Sequence, residues 1–256
     1  MKIVLLGSGN VATHLGKALK KAGHEILQVW SRTKKSALQL AELLNATAIS
    51  NLDALSAEAD IYIISVPDEA IGNVASTFAF PDKLLVHTSG TTSLEALSSA
   101  SNKTGVFYPI QTFSKQRQVD FSSTPIAVEG NSEEVSDSLF SLAESLSDKV
   151  VFFDSEKRKA LHVAAVFACN FSNHLYALAK TILGENSLEF DLIRPLIKET
   201  AGKAQNFFPE DVQTGPAVRM DFATIEKHLE FLENQPELQQ LYEKLSQSII
   251  NLHQKG

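Results

Sequence analysis

The sequence predicts an α/β chain: a doubly wound, mostly parallel sheet followed by an all-helical C-terminal half. Three observations predict it. Apolar runs of strand length alternate with segments of helical spacing from Lys2 to Phe153. The first run ends in Gly7-Ser8-Gly9-Asn10-Val11-Ala12, a G-x-G-x-x-A turn that opens a helix. From Asp154 onward no stretch reads as a strand.

The elements follow in order. Lys2-Ile3-Val4-Leu5-Leu6 is a short apolar run of the kind a buried parallel strand shows. Gly7 allows the tight turn out of it, Gly9 lets the backbone come close to a pyrophosphate, and Ala12 lets the next helix lie on the sheet. That helix carries Val11, Leu15, Ala18, Leu19 and Ala22 inward and closes at Gly23. Its amino end, with Ser8, Asn10 and Val11, presents free N–H groups and the positive end of the helix dipole. A lone glycine turn is a weak signal, but this one follows a strand and precedes a second one, Ile26–Trp30. It is therefore read as a dinucleotide site.

The end of that second strand selects the dinucleotide. An acidic residue there would hold the ribose 2′-hydroxyl of NAD, whereas a basic one accommodates the 2′-phosphate of NADP. The chain has Ser31-Arg32-Thr33, followed by Lys34-Lys35. The reading is NADP, with Arg32 on the phosphate through its planar fork and Ser31 and Thr33 donating hydroxyls. Thr33 also suits the N-cap of the next helix, Lys34–Leu44.

A weak strand, Ala46–Ile49, precedes Asp60–Pro67, whose near-continuous apolar character marks a central strand covered on both faces. Val66 and Pro67 then lie at the carboxyl edge of the sheet, where open α/β folds bind ligands, and Pro67-Asp68 starts a helix. Lys83–His87 is the next strand. It ends in Thr88-Ser89-Gly90-Thr91-Thr92, suited equally to a polar substrate and to capping a helix that starts near Ser93. Thr104–Tyr108 leads into the polar and aromatic Tyr108-Pro109-Ile110-Gln111-Thr112-Phe113, and strands at Thr124–Val128 and Lys149–Phe153 flank a helix over Glu133–Leu146.

The boundary is placed at Asp154-Ser155, giving a nucleotide-binding domain over residues 1–154 and a helical substrate and dimerisation domain over residues 155–256. No Gly or Pro interrupts Ser155–Leu183. Ala160, Ala164, Phe167, Phe171, Leu175, Leu178 and Ile182 make one apolar face of this predicted helix, and His162, Cys169, Asn173 and Lys180 fall opposite. Such a helix is expected to be buried on both sides. Helices over Leu188–Phe208, Phe222–Leu232 and Pro236–Leu252 complete the chain, with a turn-rich loop at Thr214–Asp221 in which Arg219 and Asp221 could pair.

The bulk numbers bound the function. With 44% hydrophobic and 21% charged residues the chain is that of an ordinary soluble globular protein. A formal charge of −7 argues against nucleic acid or an anionic membrane as the main partner. The one cysteine, Cys169, forms no internal disulfide, which fits a cytoplasmic location. No apolar run reaches the roughly 18–20 residues of a membrane span, and no His or Cys cluster has metal-ligand spacing, so no metal is expected.

The glycine turn, the sheet-edge His87-Thr88-Ser89-Gly90, the Tyr108–Phe113 segment, the helix with His162-Val163-Ala164-Ala165-Val166-Phe167-Ala168-Cys169-Asn170 and the Thr214–Asp221 loop together resemble the NADP oxidoreductases whose C-terminal half is called domain of unknown function 2520. More distantly the chain resembles the 6-phosphogluconate dehydrogenase-like superfamily, which includes the pyrroline-5-carboxylate reductases. The resemblance implies a Rossmann-type domain, an NADP site, hydride transfer in an interdomain cleft and a homodimer. Tyr108 stands where family members usually have His, and Lys159, His162, Asn170 and Asn173 do not reproduce the lysine and paired asparagines of the β-hydroxyacid enzymes.

Hydride transfer to or from a carbonyl, imine or alcohol carbon needs a group that gives or takes a proton. His162 is the first candidate, with Lys159 and Tyr108 as reserves. Ser89, Gly90, Gln111, Asn170 and Asn173 are candidate contacts to substrate by position. The expected function is NADP-dependent oxidation or reduction of a small polar metabolite; the alternative is a non-catalytic NADP(H) sensor or regulatory dimer.

Overall fold

The computed structural model describes residues 1–114 and 116–254. Among the described residues one eight-stranded sheet forms from β1 (Lys2–Leu6), β2 (Glu25–Trp30), β3 (Thr47–Ile49), β4 (Ile61–Ile64), β5 (Leu84–His87), β6 (Lys103–Pro109), β7 (Ile126–Gly130) and β8 (Val150–Phe152). Their order across the sheet is β3-β2-β1-β4-β5-β6-β7-β8. Every neighbouring pair is parallel except β6 and β7. That exception has a chain-level cause: among the described residues no α-helix lies between β6 and β7, and without a crossover helix a strand returns antiparallel.

The period of two divides β1 between two cores. Ile3 and Leu5 pack with α1 (Asn10–Lys21), α2 (Lys34–Leu44) and α4 (Glu133–Glu144) through Ala12, Leu15, Leu40, Leu139 and Leu142. Val4 and Leu6 pack on the other face with Ile71, Val74 and Ala75 of α3 (Asp68–Ala75). Both faces are covered, which is why β1 and β4 read as unbroken apolar runs.

In α1 the inward set differs from the expected one. His14 is buried and Ala22 is exposed, because His14 Nε2 reaches the Ser114 carbonyl at 2.9 Å and its ring packs on Phe113. The helix expected near Ser93 is a single 3-10 turn, Leu94–Leu97. Leu188–Phe208 is likewise broken, into a 3-10 turn at Phe190–Ile193 and α7 (Arg194–Asn206).

The long helix is not uniform. It runs as α5 (Ser155–Ala165), a π turn at Val166–Phe171 and α6 (Ser172–Glu185). A π turn adds a residue to the coil, so the apolar stripe beyond Phe171 is displaced by about 100° from its expected line. Nor is the helix buried on both sides within one chain: Phe167, Phe171 and Leu175 are exposed, and α6 has no buried residue.

Contacts divide the chain into two compact units, Met1–His174 and Leu175–Gly256. Ser155–His174 thus lies in the first unit. The second unit holds α7, α8 (Phe222–Phe231) and α9 (Pro236–His253) around a small cluster of Ala217, Ile225 and Ile250. Asp221 forms no ion pair with Arg219 among the described residues; it caps α8 by accepting from Thr224 N at 3.1 Å. No helix of the described residues is long and apolar enough to cross a membrane.

Candidate functional site

The register aligns Leu6 with Ile64 and Ile64 with His87, so β1, β4 and β5 end side by side. The ladder continues one residue further, with Ser65 N donating to Leu6 O at 2.8 Å and Thr88 N to Ile64 O at 3.0 Å. Gly7, Ser65 and Thr88 therefore form one carboxyl edge.

Gly7 has φ +139°, and a Cβ there would lie 2.1 Å from the Ser65 carbonyl oxygen. Only glycine makes this turn. Gly9 is different: a Cβ would meet nothing within 4 Å, so its bare backbone faces open space. Gly9 is also the N-cap of α1, with no side-chain cap and no acidic residue in the first turn. The first bond of the helix is Thr13 N to Gly9 O, which leaves the N–H groups of Asn10, Val11 and Ala12 without backbone partners. Room, unpaired donors and the positive helix end suit a diphosphate. The Asn10 side chain points elsewhere, its Nδ2 donating to Phe113 O at 3.0 Å.

At the end of β2, Ser31 Oγ accepts from Ser8 Oγ at 2.9 Å, tying the selectivity residues to the glycine turn. Arg32 is exposed beside it. Thr33 precedes α2 without capping its backbone; its hydroxyl donates to Ser36 Oγ at 2.7 Å. Val66 is half-buried and Pro67 is the N-cap of α3.

From Thr88, whose hydroxyl donates to Ser65 Oγ at 3.2 Å, the edge runs on into Ser89-Gly90. Ser89 is buried, and its Oγ accepts from the amides of Thr91 (3.1 Å) and Thr92 (2.9 Å), so it shapes this loop. Gly90 has another task. A Cβ there would lie 2.5 Å from His162 Nδ1 and 2.9 Å from Tyr108 Cζ. Those two side chains share a hydrogen bond of 3.0 Å between Tyr108 Oη and His162 Nδ1. Burial pushes the Tyr108 hydroxyl up from its ordinary ionisation, against the opposing pull of the Arg158 charge. At neutral pH it is a phenol, able to donate to a neutral imidazole and to accept from a charged one.

The remaining expected residues are scattered. Lys159 is exposed on α5, and Gln111 is exposed with its Oε1 accepting from Thr112 N at 2.8 Å. Asn170 lies in the π turn and Asn173 on α6, both exposed. The structure brings together Tyr108, His162 and Gly90, and it does not gather Gln111, Asn170 and Asn173 with them by any hydrogen bond among the described residues.

A second group beneath the pair was not foreseen. Arg158, 1% exposed, forms an ion pair with Glu129 of β7 and donates to the Thr92 carbonyl at 2.5 Å. Glu129 also accepts from Ser155 N and Oγ at 3.1 Å. His87 is fully buried and held neutral, its ionisation pushed down to about 4 by burial and next by the Arg158 charge. Its Nδ1 accepts from Ser89 N at 3.2 Å, and Nε2 makes no hydrogen bond among the described residues. One signal in the chain pointed here: Arg158 precedes His162 by four residues, one turn along the same helix.

Comparisons with known proteins bear on the family and the fold. Residues 2–90 match the family described as NADP oxidoreductase, coenzyme F420-dependent, and residues 124–249 match the domain of unknown function DUF2520. Among solved structures the chain is similar to a Bacteroides fragilis protein described as a “putative NADP oxidoreductase”, with 44% identity, 98% of each chain covered and a TM-score of 0.90. A Thermotoga maritima protein follows at 26% identity, TM-score 0.74, covering 99% of this chain and 98% of its own. A reductive aminase from Aspergillus terreus, solved with NADPH4, cyclohexanone and allyl amine, shares the fold alone at 15% identity, TM-score 0.72, covering 98% of this chain and 93% of its own. No curated protein matches the sequence.

Proposed function

The chain belongs to the NADP oxidoreductase family that carries the domain of unknown function 2520, and on that premise we propose that it moves a hydride between NADP(H) and a small polar metabolite bearing a carbonyl, imine or alcohol carbon. The observation that carries the reading is the Tyr108–His162 hydrogen bond, seated on Gly90 at the same sheet edge as the glycine turn.

The residues fit the cofactor. The free amides of Asn10, Val11 and Ala12 and the bare Cα of Gly9 would hold the pyrophosphate, with Ser8 and Gly7 setting the turn. Arg32, flanked by Ser31 and Thr33, would take the 2′-phosphate, and the backbone at Val66 and Pro67 would border the bound molecule. When bound, NADPH supplies the hydride. The chain supplies the proton: Tyr108 Oη and His162 Nδ1 form a donor and acceptor pair across which a proton passes to or from the reacting oxygen or nitrogen. Neutral His87 under the loop adds no charge beside that pair. Ser89 and Gly90 shape the floor of the loop, Lys159 remains a reserve for the proton, and Gln111, Asn170 and Asn173 remain candidate substrate contacts by position.

We also propose that the protein is a homodimer through its helical half. Leu192, Leu196, Phe207, Phe208 and Phe231 are all more than half exposed in the second unit, around a core of only a few buried side chains. So much apolar surface needs cover, and a second copy supplies it.

The test is calorimetric titration with NADPH and NADH, followed by NADPH absorbance over a panel of small ketones, aldehydes and imines, with coenzyme F420 included because the matching family description names it. Tight NADPH binding with turnover supports the reading. Binding without turnover over the whole panel favours the sensor, and no binding of either nucleotide overturns both.

A further inference from the structure

We propose that Arg158 is the positioning residue of the pair: it pins α5 and the Thr88–Thr92 loop to β7, and so holds His162 Nδ1 against Tyr108 Oη. The proposal rests on reading Tyr108 and His162 as the proton-handling pair. Tyr108 sits at the end of β6, in the rigid sheet, paired with Ala127 of β7. His162 sits on α5, which must be fixed from elsewhere. Arg158 lies one turn before it on the same helix and is 1% exposed.

Its guanidinium joins three elements. One nitrogen pairs with Glu129 of β7, and the other donates to the Thr92 carbonyl at 2.5 Å and to Ser155 Oγ at 3.2 Å. Glu129 in turn accepts from Ser155 N and Oγ, so the first turn of α5 is tied to the same carboxylate. Thr92 ends the loop whose Gly90 touches both members of the pair. A planar fork can hold a carboxylate and a carbonyl at fixed angles together, which a lysine ammonium cannot. Arg158 touches no reacting group on this account. Its effect passes through the placement of His162.

The readout is the imidazole of His162 by ¹⁵N NMR of the full chain, with Tyr108→Phe as the reference for a broken hydrogen bond. In the double variant Glu129→Gln/Arg158→Met the buried charges go together, so neither is left unpaired. The expected result is a folded protein whose His162 nitrogens match the Tyr108→Phe spectrum, while the His24 and His228 signals stay as in the native chain. Arg158→Lys keeps the charge and loses the fork, and it is expected to shift His162 the same way; it decides the matter where the double variant does not fold. His162 signals unchanged from the native chain in a folded variant overturn the proposal. On a substrate from the panel, Arg158→Lys should lower kcat about 10²-fold with NADPH affinity unchanged. The NMR arm needs neither cofactor nor substrate, so a null panel sinks the hydride reading without touching this result.

Discussion

The Tyr108 hydroxyl and the His162 Nδ1 lie 3.0 Å apart although 54 residues separate them in the chain. One comes from the end of a strand and the other from the middle of a helix, and Gly90 leaves the space in which they meet. If the pair handles the proton, its members act as one unit. Tyr108→Phe and His162→Asn should each lower kcat by about 10²-fold or more, and the double variant should be little worse than either single one. NADPH affinity, measured by calorimetry, should stay unchanged. Full activity in Tyr108→Phe would remove the pair from the mechanism.

The two glycines of the turn should separate stability from binding. Gly7→Ala places a Cβ 2.1 Å from the Ser65 oxygen at φ +139°, and it should destabilise the fold by at least about 3 kcal/mol. Gly9→Ala meets nothing in the unliganded chain and should change stability by less than about 1 kcal/mol. It should nevertheless weaken NADPH binding at least about 10-fold, because the methyl occupies the space the pyrophosphate needs. Denaturant melts and calorimetry on the two variants read the contrast; NADPH binding at native strength in Gly9→Ala would break it.

The strands were legible because burial on both faces leaves a long apolar run, as in Ile61–Ile64, and because Gly7 and Pro67 punctuate them. The glycine turn was legible for the same local reason. What the sequence did not display depends on distant partners. Arg158 reads as one more charge on an amphipathic helix until Glu129, twenty-nine residues earlier, is seen beneath it. His14 belongs to the core only because Ser114 and Phe113 come back over α1. The π turn at Val166–Phe171 has no composition of its own, and without it the phase of Asn173 could not be read. Of the candidate site, His162, Tyr108 and Gly90 were named from position, and their mutual contact could come only from the fold.

Arg32 carries the choice of dinucleotide. It stands exposed at the end of β2 with Ser31 tied to Ser8. Charge-assisted hydrogen bonds to a phosphate contribute about 1.5–3 kcal/mol, so Arg32→Ala should weaken NADPH roughly 10- to 150-fold and leave NADH unaffected. Because the lost contact is electrostatic, rising salt should weaken NADPH binding to the native chain more than to the variant. Equal loss for both nucleotides would mean that Arg32 acts through the fold and not through the 2′-phosphate.

His87 should write a pH dependence into stability. Its ionisation is pushed down to about 4, first by burial and then by the Arg158 charge, against about 6.5 in the unfolded chain. Between those values the unfolded chain binds the extra proton, so stability is fully present above pH about 6.5 and drains away as pH falls toward 4. The whole effect is roughly 3 kcal/mol, with about 2 kcal/mol gone by pH 5. His24, lowered by burial and by the N-terminal ammonium, acts in the same direction, so the measurement must be a difference. Urea melts of the native chain and of His87→Asn at pH 7 and pH 5 should show the native chain losing about 2 kcal/mol more than the variant. His87 Nε2 has no hydrogen bond to lose, which keeps the variant usable at neutral pH. The carboxylates held low by hydroxyls and amides, Asp120 by Ser122 and Asp221 by Thr224, lose their contribution only as pH falls below the ordinary carboxylate range. Parallel slopes for the native chain and the variant between pH 7 and pH 5 would therefore show that His87 charges freely inside the fold, and the neutral floor proposed beneath Tyr108 and His162 would be lost with it.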